Sequence, residues 1–168
     1  MDYLAALSEA YQDENIKIEP RDDHDLFVIV NPQGSENIEI EVYHDDAGDD
    51  LIFYFCRNHE HFYRNTDKLI AYVNGFLNGA FVAYRFLRDD EEISRGFQEL
   101  AQMDISSSLC IIDSLTKGRS YWEQFGEWGL YTYETIHKEY VGPSGHGRFT
   151  FSIYGWNGQH SQDIDFVL

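Results

Sequence analysis

The stretch 37–56 decides the fold and reads NIEIEVYHDDAGDDLIFYFC. Its first part alternates apolar Ile38, Ile40 and Val42 with polar residues, which is the period of a strand with one buried face. After an acidic turn, the run 51–56 is apolar on both faces, as in a central strand. The stretch therefore predicts two paired antiparallel strands, one of which has an acidic outer side.

The residues before this stretch predict further strands of the same sheet. Ile16 and Ile18 alternate with polar residues, and the run Leu26 to Val30 is apolar and partly β-branched. The tetrapeptide Asn31-Pro32-Gln33-Gly34 has the composition of a turn. We therefore expect an antiparallel meander of four strands.

Helical periodicity predicts three helices. Residues 2–13 form a short amphipathic helix with Asp2 near its positive end, and 66–88 form a long helix with Thr66 as N-cap. A further helix is expected to begin near Asp90. Its apolar stripe consists of Ile93, Phe97, Leu100 and Ala101.

The C-terminal third predicts strands over 109–115, 130–140 and 149–154. Together with the preceding elements they indicate an α+β fold, in which the meander sheet packs against the long helix and the C-terminal strands extend the sheet. A length of 168 residues without a linker or internal repeat predicts a single domain over 1–168.

The charge is strongly negative and unevenly distributed. The chain carries 30 acidic and 12 basic residues, a net charge of −18. Residues 1–50 hold 15 acids and 2 bases, a net of −13, whereas residues 51–100 have a net charge of −1 and residues 101–168 of −4. Such a field repels phosphate backbones, so direct nucleic-acid binding is disfavoured. In a protein from a halophile, the acidic residues would be spread over the whole surface. Their concentration in residues 1–50 argues against that explanation.

Cysteine usage and the N-terminal residues predict a cytoplasmic protein. Cys56 and Cys110 both lie in apolar runs, which favours buried reduced thiols over a disulfide framework. The N-terminal residues lack the features of a secretory signal. The apolar stretch 69–87 is interrupted by polar residues, so no membrane-spanning helix is expected.

Histidines provide the best candidate metal ligands. His59 and His61 share one side of a strand if the strand continues through them, and His44 lies in a neighbouring segment. Imidazoles in this arrangement suit zinc. The alternative is two half-exposed rings at a strand end. Calcium at the acidic turn 45–50 is less favoured, because the turn does not fit a twelve-residue calcium loop.

No motif identifies an enzyme. The chain lacks a zincin helix motif, a glycine-rich phosphate loop and a nucleophile elbow, so we assign no catalytic residue. A glycosidase needs paired carboxylates among aromatic rings. Residues of that kind are Glu123, Glu127 and Glu134 beside Trp122, Trp128, Tyr131 and Tyr133. Core packing or an interface is the more common use of such rings.

The acidic strand and its turns form the most distinctive candidate site. Carboxylates recur at every second residue of the strand and fill the following turn, next to two tyrosines. The candidate partner-binding residues are Glu39, Glu41, Tyr43, Asp45, Asp46, Asp49, Asp50 and Tyr54. Such a patch can steer a basic protein and anchor it on aromatic rings. The alternative is a solvated face that keeps the protein in solution.

Several short motifs resemble small uncharacterised acidic bacterial proteins of the polymorphic-toxin immunity type. They are the acidic hairpin, Phe53-Tyr54-Phe55, His59-Glu60-His61-Phe62 with the helix that follows, and Trp156-Asn157-Gly158. They cover about a third of the chain, and no active-site pattern comes with them. The resemblance implies a non-enzymatic inhibitor of a partner protein.

Three functional hypotheses follow. The first is an acidic binding protein, of immunity or antitoxin type, that captures a basic partner such as a nuclease. The second is a small metal-binding protein or metal-dependent enzyme that uses His59 and His61. The third is a homo-oligomeric structural protein whose aromatic C-terminal third is self-complementary. The sequence leaves the oligomeric state open.

Overall fold

The computed structural model describes residues 2–33, 36–44, 50–101, 108–142, 146–158 and 161–167. The chain divides into two compact units. The first comprises Met1–Ala83 and Tyr154–His160, and the second comprises Tyr84–Ile153 and Ser161–Leu168. The expectation of one domain stays a prediction. No helix among the described residues is both long and apolar enough to cross a membrane.

A five-stranded antiparallel meander forms the centre of the first unit. Its strands are β1 (Ile16–Pro20), β2 (His24–Ile29), β3 (Ile38–Tyr43), β4 (Leu51–Phe55) and β5 (Asn58–His61), and they lie in that order. The predicted meander and the α+β class are confirmed, with β5 as a fifth strand. A tight turn at Cys56 and Arg57 joins β4 to β5, and both residues have positive φ, at 50° and 65°. Two such residues suit the twist of a short hairpin.

Two helices cover one side of this sheet. The N-terminal helix α1 (Tyr3–Ala10) begins after Asp2, whose side chain accepts a hydrogen bond from the Ala5 amide at 3.0 Å. The second helix α2 (Thr66–Leu77) packs Phe76 against Phe53 and Phe55 of β4, with ring centroids 5.1 and 5.3 Å apart. The predicted alternation of β3 is confirmed, because Ile38, Ile40 and Val42 are buried on this side.

The predicted long helix 66–88 is wrong in its second half. The helix ends at Leu77, Gly79 takes a left-handed φ of 78°, and the chain continues as strand β6 (Phe81–Arg88). Glycine at such a position ends helices, and the residues after it are rich in aromatic strand formers. The N-cap is Asn65, which accepts from the Lys68 amide at 2.9 Å, and not Thr66.

The predicted helix near Asp90 is also a strand. Strand β7 (Glu91–Glu99) follows β6 after a two-residue turn, in which Asp89 and Asp90 have φ of 50° and 68°. Ile93 and Phe97 therefore lie on a strand. Four strands form a second sheet in the order β7-β6-β8-β9, with β8 (Arg148–Tyr154) and β9 (Gln162–Val167) antiparallel to each other. The C-terminal strands thus belong to a sheet of their own and do not extend the meander.

The predicted strands 109–115 and 130–140 are helical. Helix α3 (Ser108–Glu123) is kinked at Gly118, helix α4 (Gly126–Ile136) follows it, and a π-helical turn spans His137–Val141. In α4 the buried residues are Gly129, Thr132 and Ile136. This spacing of three and four residues is helical, although Tyr131, Thr132 and Tyr133 favour strands by type. The strand predicted over 149–154 is confirmed as β8.

Candidate functional site

The side of the meander opposite α2 carries four of the eight predicted partner-binding residues, and we call it the outer face. Antiparallel register places Glu39 beside Tyr54, Glu41 beside Ile52, and Tyr43 beside His24. Cross-strand partners share one side of a sheet, so these side chains form one continuous surface. The outer face comprises Lys17, Glu19, His24, Leu26, Val28, Glu39, Glu41, Tyr43, Ile52, Tyr54, His59 and His61.

Glu41 lies at the centre of a hydrogen-bonded cluster on the outer face. Its Oε2 accepts from the hydroxyls of both Tyr43 and Tyr54, each at 3.0 Å. His24 stacks on the Tyr43 ring at 5.0 Å between centroids, and its Nε2 lies 3.9 Å from Glu41 Oε1. The Glu41 side chain is 22% exposed, so the carboxylate is held in place but remains open on one side.

The two tyrosines stay protonated across the physiological range. Burial, and secondly the hydrogen bond to Glu41, raise the pKa of Tyr54 to about 12. The hydrogen bond to Glu41, and secondly burial, raise the pKa of Tyr43. A neighbouring carboxylate disfavours the phenolate, because two negative charges would then lie side by side. Both hydroxyls therefore act as donors to Glu41, with their rings fixed at the surface.

Aspartates surround this cluster at the strand ends. Asp23 accepts from His24 Nδ1 at 2.7 Å, and this hydrogen bond lowers the pKa of Asp23. Asp50 lies just before β4 and contacts the Nδ1 of His61. Three predicted site residues lie outside the described residues, namely Asp45, Asp46 and Asp49. The same holds for most of the acidic turn 45–50, in which calcium was the alternative.

The three predicted metal ligands are not brought together. His59 and His61 are neighbours on the outer face, with ring centroids 5.4 Å apart. His44 instead pairs its Nε2 with Asp25 Oδ2 at 2.8 Å. Across the described ranges, no group of three or more His, Cys, Asp or Glu side chains is placed to hold a metal ion.

The predicted partner-binding residues do not include His24 and Asp23, which the structure places beside Tyr43 and Glu41. The missing information was the register between β2 and β3, which places His24 opposite Tyr43. Alternation within each strand gives the side of a residue, but it does not give the neighbour across the sheet. The turn Asn31-Pro32-Gln33-Gly34 pointed to that pairing without fixing its register.

Cys56 and Cys110 are not joined in a disulfide. Cys110 is buried, as predicted, whereas Cys56 is half-buried in the turn between β4 and β5. Burial raises the pKa of the Cys56 thiol to about 12, and a thiol that stays protonated is a poor nucleophile. Neither residue therefore adds catalytic chemistry to the outer face.

The acids and aromatic rings of the glycosidase alternative lie on α3 and α4 of the second unit. Glu123 and Glu134 are exposed and lie 3.2 and 3.6 Å from the same arginine, Arg119. A general acid works in a site that is shielded from water, whereas both of these carboxylates are exposed. Trp122 is buried, whereas Trp128 is 53% exposed.

No family model, curated protein or solved structure matches the chain. The resemblance to immunity proteins therefore stays a prediction. Its motif Phe53-Tyr54-Phe55 lies in β4 and contributes Tyr54 to the outer face and its two phenylalanines to the core.

Proposed function

We propose that the protein binds a basic protein partner through the outer face and inhibits it without catalysis, in the manner of an immunity protein or antitoxin. The observation that carries the proposal is the Glu41 cluster. One carboxylate is fixed by two tyrosine hydroxyls, and it lies within a surface that also presents Glu39, with Asp50 at its border. This combination of fixed charge and aromatic rings suits the side chains of arginine and lysine.

Each part of the cluster has a separate role in recognition. The net charge of −13 in residues 1–50 attracts a basic partner over a distance and accelerates association. Glu41 then pairs with a cationic side chain, while Tyr43 and Tyr54 offer large rings whose positions are already set. Rings that lose little conformational freedom on binding are efficient anchors.

The apolar residues between the acids support binding over simple solvation. Val28 and Ile52 lie on the outer face with 5% and 9% exposure, beside Glu39 and Glu41. A charged group next to buried apolar side chains attracts an opposite charge more strongly than a group surrounded by water, because the local dielectric constant is lower. A surface selected only for solubility does not need this arrangement.

The partner is identified by affinity capture from the native host. The immobilised protein is loaded at low salt, eluted with a salt gradient, and the eluted basic proteins are purified and titrated individually. We expect Glu39→Gln with Glu41→Gln to weaken binding of the partner at least tenfold, about 1.4 kcal/mol. The matched control is Glu123→Gln with Glu127→Gln, which removes the same charge from the second unit and should change affinity less than about twofold.

Two results would contradict the proposal in different ways. Equal weakening by both double variants would mean that only net charge matters and that the outer face is not the site. A partner that binds the outer face but keeps its full activity in the complex would retain the binding function and refute inhibition. The activity of the purified partner, measured with increasing amounts of the protein, makes this distinction.

A further inference from the structure

The end of β5 carries a pair of imidazoles that the Glu41 cluster does not use. His59 and His61 are two residues apart on one strand, and they lie beside Tyr54 and Ile52 of β4. Two-residue spacing in a strand directs both side chains to the same side. Their rings are 5.4 Å apart between centroids and cross at 78°.

Asp50 fixes the orientation of one of these rings. Its carboxylate contacts His61 Nδ1 and accepts from the Tyr63 amide at 3.0 Å, and its side chain is only 18% exposed. A nitrogen that faces a carboxylate carries the hydrogen, so the lone pair of neutral His61 is on Nε2. Carboxylates hold metal-binding histidines in this way and make the other nitrogen a better ligand.

The spacing of the two rings fits one shared ion. A zinc–nitrogen distance of about 2.0 Å places the centre of an imidazole about 3.2 Å from the metal, and a tetrahedral angle then separates two ring centres by about 5.2 Å. The observed separation of 5.4 Å is close to this value. We propose that His59 and His61 bind a zinc ion, with Asp50 as the residue that positions His61.

The surroundings of the pair suit an accessible, exchangeable ion. His61 and Tyr63 border an open cleft of about 640 Å³, and Tyr63, which stacks on His61 at 6.0 Å, is 73% exposed. Structural zinc sites use four protein ligands. Two imidazoles leave two positions for water or for a donor group of another molecule, so the ion binds reversibly and the fold does not depend on it.

His44 provides the matched control. Like His61, it is a partly exposed imidazole hydrogen-bonded to an aspartate, in this case Asp25. Among the described residues, His44 has no ring contact with a second imidazole of the kind that joins His59 and His61. A variant of His44 removes one histidine from the same sheet without touching the proposed site.

Zinc titration of the whole protein by calorimetry at neutral pH tests the site. We expect one saturable zinc site, at least tenfold weaker binding in His59→Ala, and unchanged binding in His44→Ala. Asp50→Asn should weaken zinc binding between about 10- and 100-fold, because the asparagine holds His61 less strongly. Circular dichroism of each variant without zinc verifies that the fold is intact. NMR should show that zinc shifts the ring signals of His59 and His61.

The outcomes that overturn the proposal are specific. Absence of saturable zinc binding, or binding that His59→Ala leaves unchanged, excludes the imidazole pair. Equal weakening by His44→Ala would indicate non-specific coordination by surface histidines. A magnesium titration should give no binding, because magnesium prefers oxygen ligands. Magnesium bound with zinc-like affinity would show a carboxylate site instead and would also refute the proposal.

Discussion

At the scale of single residues, Glu41 connects the fold to the proposed function. Its backbone is part of β3, while its carboxylate accepts from Tyr43 of the same strand and from Tyr54 of the neighbouring strand β4. A hydrogen bond to a charged group contributes about 1.5–3 kcal/mol when it is buried, and less at a partly open position such as this one. Glu41 therefore fixes the hydroxyls of Tyr43 and Tyr54. Its effect on Tyr54 can be measured, because it contributes to the pKa of that hydroxyl.

The pKa of Tyr54 should reveal the hydrogen bond to Glu41. Burial is the larger cause of its rise to about 12, and Glu41 is the second. In Glu41→Gln we expect the pKa of Tyr54 to fall below its value in the natural protein while staying above the ordinary value of 10.0. NMR of ring-labelled tyrosine measures both values, with Tyr54→Phe to assign the signal. An unchanged pKa would show that the carboxylate does not act on this hydroxyl.

The same shift predicts how stability depends on alkaline pH. The folded pKa of Tyr54 lies above its unfolded value, so the folded state holds the phenolic proton more tightly. This contribution is fully present below pH 10 and is lost as the pH rises from about 10 to about 12. In Tyr54→Phe, the loss of stability over that interval should be smaller than in the natural protein.

At the scale of elements, the sequence predicted the first unit better than the second. The strict alternation of apolar and polar residues in β3 predicted a strand unambiguously, because no helix places Ile38, Ile40 and Val42 on one side. The run after Thr66 had no such constraint, since continuous apolar residues fit a buried helix or a strand equally well. Gly79 was the signal of the boundary, and its left-handed φ became visible only in the structure.

The turn between β6 and β7 can be tested by a substitution whose effect on stability has opposite signs in a turn and in a helix. Asp90 is the second residue of a tight turn and has a φ of 68°, which glycine adopts without strain. We expect Asp90→Gly to stabilise the protein by about 0.5 kcal/mol in urea unfolding. At the start of the helix that the sequence predicted, the same change would instead destabilise the protein, by about 0.3 kcal/mol.

Asp89 is the control for this turn. Its Oδ1 accepts from the Arg148 amide at 2.9 Å, so its side chain has a role that glycine cannot replace. Asp89→Gly should therefore destabilise the protein by about 1 kcal/mol, although its φ of 50° also suits glycine. Destabilisation of both variants to the same extent would contradict the type of turn described here.

At the scale of the whole molecule, charge is the property that the sequence predicted most directly. The excess of acids in residues 1–50 needs no structure to be counted, and β3 places two of those acids on one surface. The division of the chain into two compact units was harder to predict. The boundaries Ala83/Tyr84 and Ile153/Tyr154 lie within strands, where composition gives no linker signal.

Salt should act in opposite directions on stability and on partner binding. Like charges repel one another in a chain of net charge −18, so screening by salt should stabilise the folded state, by about 1 kcal/mol between low and high sodium chloride. Urea is the suitable denaturant, because guanidinium is itself a salt. Binding of a basic partner should weaken over the same range, since salt screens the attraction.

The variants of the proposed site separate the two effects. Glu39→Gln with Glu41→Gln and Glu123→Gln with Glu127→Gln remove the same charge, so both pairs should reduce the stabilisation by salt. Only the first pair should also reduce the salt dependence of partner binding, because it alone removes carboxylates from the outer face. If stability fell as salt increased, attraction within ion pairs would outweigh the repulsion among the acids, and the prediction of stabilisation by salt would be refuted.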